Sequence, residues 1–137
     1  MAGDAVAAYC DASVRRDIDG LLDTLAPDAE LVSPLSGRMV FRGRADLKVL
    51  LGAVYGALRD WQWGQQFGEG DMRFVVGRGR VGGLPLDDAM VFELGPDGLI
   101  HKVRPHLRPW LGTSVFALLL GAKIARHPGI IWRALRG

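Results

Sequence analysis

The hydrophobic period of this chain changes once, at Trp61, and that change restricts the fold class. Before it, Leu47, Leu50, Leu51, Val54 and Leu58 form one stripe within residues 44–60, the pattern of an amphipathic helix. After it, side chains alternate. Trp61, Trp63, Gln65 and Phe67 share one face, and Leu84, Leu86, Asp88, Met90, Phe92 and Leu94 share another over a long strand. Residues 68–71, 82–83 and 95–98 are rich in glycine and read as turns, joining strands over 73–81, 84–94 and 99–107. Helices first and antiparallel strands afterwards predict an α+β fold, with helices on one face of a curved sheet.

The opening stretch, residues 6–43, supplies the rest. Val6, Tyr9, Cys10 and Ser13 fall at i, i+3, i+4 and i+7, one stripe of a helix. Asp17 is placed to cap a second helix that buries Ile18, Leu21, Leu22 and Leu25, and Pro27 is expected to close it. Ala29, Leu31 and Ser33 alternate with Glu30 and Val32 as a strand, residues 34–37 turn, and 39–42 return. In the last hairpin, a four-residue loop would set Phe92 opposite His101, Met90 opposite Val103 and Asp88 opposite Pro105. On the other face it would set Asp87 opposite His106 as an ion pair or hydrogen bond.

At 137 residues the chain has the size of one domain. Charge is divided unevenly along it. Residues 1–97 carry ten Lys/Arg against fifteen Asp/Glu; residues 98–137 carry seven Lys/Arg, all three His and no acid. The basic end suits an anionic partner or the acidic body of the protein itself. The single Cys10 excludes an internal disulfide. No His pair stands at ligand spacing near a Cys or carboxylate cluster, so no metal is expected, and no organic cofactor is implied. Arg78 and Arg80 alternate with glycines and read as solvated sheet or dimer rim, not as a nucleic-acid patch. The N-terminus lacks a basic start and a long apolar run, and residues 109–122 are too short to span a bilayer; a cytoplasmic protein is expected. Three Lys against fourteen Arg, with no Asn, suit a GC-rich bacterial genome.

The stretch VAAYCDASVRRDIDGLLDTLAPDAELVSPLSG and the hairpin MVFELGPDGLIHKV resemble the nuclear transport factor 2-like superfamily, in its ketosteroid isomerase and SnoaL-like polyketide cyclase branch. The likeness covers about residues 4–108. It implies a cone: three N-terminal helices on a strongly curved, mainly antiparallel sheet, dimeric through the sheet's outer face. The fold hosts isomerases, cyclases, hydrolases, dehydratases and plain binding modules. In the isomerases a Tyr on the first helix stabilises an oxyanion, and Tyr9 stands there. The family's base, an Asp before a Pro, is here Ser33 before Pro34, and its second oxyanion donor is here Met90. A hydroxyl is no base near neutral pH without another base beside it. The pattern thus departs from steroid isomerisation by the family's mechanism.

Asp88, two residues before Met90, points to the same face and is the acid/base candidate; the alternative is a solvated carboxylate at the mouth, paired with an Arg such as Arg73. Tyr9 is either an oxyanion donor or a core tyrosine with its hydroxyl at a wet rim. Ser33, Trp61, Trp63, Met90, Phe92 and Val103 would line the site, the aromatics equally serving as core, and His101 would sit at its rim. Residues 109–137 form a basic extension to a domain over 1–108, with a helix over 113–126 apolar nearly all round and broken by Pro128. That helix must be buried, as a cap on the cone, in a dimer, or in an anionic membrane surface, the first two being preferred. The expected function is binding of a small apolar, polyketide- or steroid-like molecule, with isomerase- or cyclase-type acid–base chemistry. The alternative is a non-catalytic interaction protein whose basic tail meets a partner or membrane.

Overall fold

A computed structural model of the chain describes residues 4–36 and 38–136. Helix α1 (Ala5–Arg15) starts where the Asp4 carboxylate accepts the N–H of Val6 at 3.0 Å, and ends at Arg16 in the left-handed region, φ 56°. Asp17 then caps α2 (Ile18–Leu22) by accepting the N–H of Gly20. Contrary to expectation, Pro27 does not close this helix. The helix stops at Leu22, and Leu25 already belongs to β1 (Leu25–Val32). Pro27 sits in a wide bulge of β1, between the Leu25–Ile100 and Glu30–Lys102 pairs, where a missing N–H breaks no ladder bond.

Strand β2 (Val40–Arg42) returns beside β1, after a turn whose Gly37 lies outside the described residues. Helix α3 (Arg44–Ala57) follows the predicted stripe. Then come β3 (Arg59–Phe67), β4 (Met72–Val81), β5 (Leu84–Leu94), β6 (Ile100–Arg104) and the short β7 (Leu107–Arg108). The sheet order is β2-β1-β6-β5-β4-β3, with β7 also on β5. The β1–β6 pair is parallel and the other described pairs are antiparallel. Helix α1 packs on β3, and α3 on β1 and β2. The result is the α+β cone of helices on a curved mixed sheet, its interior filled by one apolar core.

Two bulges reset the expected faces. In β3 the register slips between Trp63 and Gln66, so Trp61 and Trp63 turn inward while Phe67 turns to solvent. In the last hairpin Leu99 joins the loop and a bulge falls at His101, so Phe92 faces Val103 and Asp88 faces Leu107. The register is displaced by two residues from the expected one. Beyond the bulge, parity, and hence which face a side chain takes, survives a shift of two, so Val103 stays inward while His101, in the bulge, does not. The expected Asp87–His106 contact does not: Asp87 lies opposite Arg108.

The C-terminal segment is two helices, α4 (Trp110–Ile124) and α5 (Pro128–Arg136), bent by 111° at the break. No single described helix is long and apolar enough to cross a membrane. Helix α4 packs on α3, β4, β5 and β7, and α5 on β2; Arg133 of α5 also makes two bonds to the Asp46 carboxylate in the first turn of α3, at 2.8 and 2.9 Å.

Candidate active site

Between the helices and the sheet lies a cavity of about 270 Å³. Tyr9 from α1, Tyr55 from α3, Ser33 after β1, and Asp88 and Met90 from β5 all line it. The remaining wall is almost wholly apolar. Leu50, Leu51 and Val54 come from α3, Leu107 from β7, and Phe116, Leu120 and Ile124 from α4. The inner face of the C-terminal pair therefore caps the cone, which is where the apolar helix finds its burial.

Asp88 is 8% exposed. Its Oδ1 accepts the backbone N–H of His106 at 3.1 Å. No cation pairs with it among the described residues; Arg73, the partner weighed for it, bonds Gln66 and the carbonyl of Gly70 instead. Desolvation is the dominant influence and pushes the carboxyl pKa up to about 7, against which the His106 N–H pulls only weakly. A carboxyl so placed holds or releases a proton near neutral pH.

Tyr9 and Tyr55 share a hydrogen bond of 2.8 Å between their hydroxyls. Burial raises both phenols well above the ordinary range, so both stay protonated. Two hydroxyls carry two hydrogens and one mutual bond uses one of them. The other has no protein acceptor among the described residues. It is a donor left over at the wall of an apolar cavity that also contains Asp88. Tyr55 carries no sequence signal beyond its spacing from Leu51 and Leu58, which puts it on the α3 core stripe.

Of the other expected lining residues, Trp61, Trp63, Phe92, His101 and Val103 lie off the cavity wall. Phe92 packs edge-on against Tyr9, centroids 5.1 Å apart, and Val103 is buried opposite it; both support the site from behind. Trp63 donates its Nε1–H to Ser13 Oγ at 2.7 Å and meets Tyr9 edge-on at 6.5 Å, with Trp61 against it at 5.6 Å. Both tryptophans are core behind Tyr9, Trp63 packing toward α1 through Ser13 and Tyr9. His101 is turned outward by its bulge, and its Nε2 meets Asp97 Oδ1 at 2.9 Å in the hairpin loop. Ser33 does reach the cavity, but its Oγ accepts the N–H of Leu35 at 3.1 Å and so braces the turn. His106 serves Asp88 through its main chain, while its Nδ1 lies 3.1 Å from the Ala89 carbonyl. Among the described residues, no group of three or more His, Cys, Asp or Glu side chains is placed to hold a metal ion.

A bent mixed sheet, helices filling its hollow and a chamber with a few convergent polar groups define the nuclear transport factor 2-like class of protein. Within it the chain belongs to the SnoaL-like domain family, whose model matches residues 6–103. No curated protein matches the sequence. Among solved structures, a bacterial protein with a cystatin-like fold from Silicibacter pomeroyi superposes with a TM-score of 0.87 at 19% identity, over 95% of this chain and 93% of that one. A steroid delta-isomerase from Pseudomonas aeruginosa gives 0.80 at 23% identity, over 94% and 97%. A protein assigned as a polyketide cyclase from Sinorhizobium meliloti gives 0.64 at 26% identity, over 76% and 94%.

Proposed function

We propose that this chain binds a small, largely apolar molecule bearing a carbonyl oxygen and moves a proton on it, as isomerases and cyclases of its fold do. The observation that carries this reading is one carboxyl, Asp88, unpaired by any cation among the described residues and poised near neutral pH, beside the leftover donor of the Tyr9–Tyr55 pair. The tyrosine pair donates to the carbonyl oxygen, and Asp88 removes a proton from the adjacent carbon and returns it elsewhere on the conjugated system. Negative charge that develops on oxygen meets a preorganised donor in a largely apolar chamber, where such a bond is worth more than in water. With Ser33 holding a turn, the chemistry rests on one carboxyl instead of two. A volume of about 270 Å³ stands at the small end of ligand sites, which run from about 300 to 1,000 Å³, and favours a compact substrate.

The test is incubation of the purified protein in D2O with a panel of small cyclic ketones and unsaturated ketones, read by NMR. Catalysed exchange at the carbon next to the carbonyl, lost in Asp88→Asn and reduced in Tyr9→Phe, supports the reading. Saturable binding without exchange by any panel member would point to a non-catalytic binder.

The outer face of β4 exposes Phe74 and Val76, each 43% accessible, which fits pairing of two copies through the sheet. Sedimentation velocity of the wild type against Val76→Asp tests it: a dimer that becomes a monomer supports this contact, and a wild-type monomer removes it.

A further inference from the structure

Helices α4 and α5 leave large apolar side chains in water on the sides that do not line the cavity. Trp110 is 77% exposed, Leu118 75% and Trp132 60%, with Leu111 and Leu135 exposed beside them. Trp110, Ser114 and Leu118 follow at intervals of four, one face of α4. The segment that bears them is basic, since residues 98–137 contain no Asp or Glu, and the acid that meets α5 is Asp46 of α3, held by Arg133. Arg108, Lys123, Arg126 and Arg136 are exposed and have no ion-pair partner among the described residues, Arg136 lying 4.4 Å from the ring centre of Trp132. Of the residues lining the cavity, Leu35 and Gly121 are exposed, so the chamber reaches the surface beside α4.

We propose that this outer face of α4 and α5 docks on an anionic lipid bilayer and sets the cavity opening against it. Exposed Trp and Leu with Arg and Lys at their margin are what an interfacial helix needs, the apolar side chains entering the acyl boundary and the cations meeting head groups. A second copy suits the face less well, since a two-fold contact would set the unpaired cations Arg108, Lys123, Arg126 and Arg136 of one basic segment against those of another. The helices meet at 111° and their inner faces are already on the cavity, an arrangement that suits a pair lying along a bilayer surface. Docked so, the protein takes an apolar ligand from lipid without passing it through water. The docking goes beyond the proton-transfer reading and does not depend on the chemistry assigned to Asp88.

The experiment is co-sedimentation of the full chain with vesicles of phosphatidylcholine alone and of phosphatidylcholine with phosphatidylglycerol, at low and high salt. Binding to the anionic vesicles, weakened by salt, is expected. Trp110→Ser and Leu118→Ser, at surface positions that leave the core intact, should each weaken it about tenfold, the effect of withdrawing one large apolar side chain. Lys123→Gln and Arg126→Gln should each weaken it about fivefold. Circular dichroism melts check that the variants fold. No sedimentation with anionic vesicles at low salt overturns the proposal. So does binding that these four substitutions leave unchanged, or a dimer that Leu118→Ser dissociates while vesicles bind nothing.

Discussion

The backbone N–H of His106 donates to Asp88 Oδ1 at 3.1 Å, and it is the one hydrogen bond this buried carboxyl receives among the described residues. The pKa near 7 follows, since burial outweighs that one donor. The folded-state value lies above the unfolded one, near 3.8, so the native chain keeps a proton that the unfolded chain gives up. Stability is therefore highest below pH 4 as far as this group is concerned, and it falls as pH rises from about 4 to about 7. Asp88→Asn should remove that slope and stabilise the protein above pH 7 by up to about 4 kcal/mol, at about 1.4 kcal/mol per pKa unit. Urea unfolding of both proteins across this window measures it. The difference between them isolates Asp88 from carboxylates of opposite sign, such as Asp97.

The Tyr9–Tyr55 hydrogen bond joins α1 to α3 inside the core. Tyr9→Phe or Tyr55→Phe each leaves the other hydroxyl buried without its partner, at a cost of about 1–3 kcal/mol. The double variant removes both polar groups and should lose less than the sum of the two. A double-mutant cycle in denaturant reads the coupling; strict additivity would mean that the bond contributes nothing.

Gly77 of β4 lies directly under the two tryptophans. A Cβ there would stand 2.6 Å from the Trp61 ring and 2.8 Å from the Trp63 ring. Gly77→Ala should cost about 1–3 kcal/mol through displaced rings. Thermal melts measure it, and a shifted near-ultraviolet spectrum should accompany the loss.

His101 bonds Asp97 in the hairpin loop, and that bond is the main influence holding the Asp97 carboxyl below its ordinary range. His101→Ala should return the Asp97 carboxyl toward the ordinary value in an NMR titration. It should leave ketone exchange unchanged, since the imidazole lies off the cavity.

Periodicity carried the sequence reading far where the backbone is regular. Tyr9 on a helical stripe, and Asp88 and Met90 on alternating positions of β5, all meet in one chamber with Ser33, as their spacing implies. The reading went astray where the backbone inserts a residue. The bulges in β3 and at His101 are not marked by composition; the first turns Phe67 to the other side, and the second takes His101 itself off the cavity side while Val103 keeps the expected one. Pro27 does not mark the helix end, because a bulged strand tolerates proline as readily as a helix end does. Tyr55 was hidden for another reason: an aromatic on a core stripe looks like packing until its hydroxyl is seen to meet Tyr9.

The central claim, one proton-bearing carboxyl in an apolar chamber, is tested most directly by a 13C NMR titration of the Asp88 side chain, assigned by its absence in Asp88→Asn. A midpoint near pH 7 is predicted. A midpoint near 4, the value of a solvated aspartate, would contradict the account and remove Asp88 as the group that moves the proton.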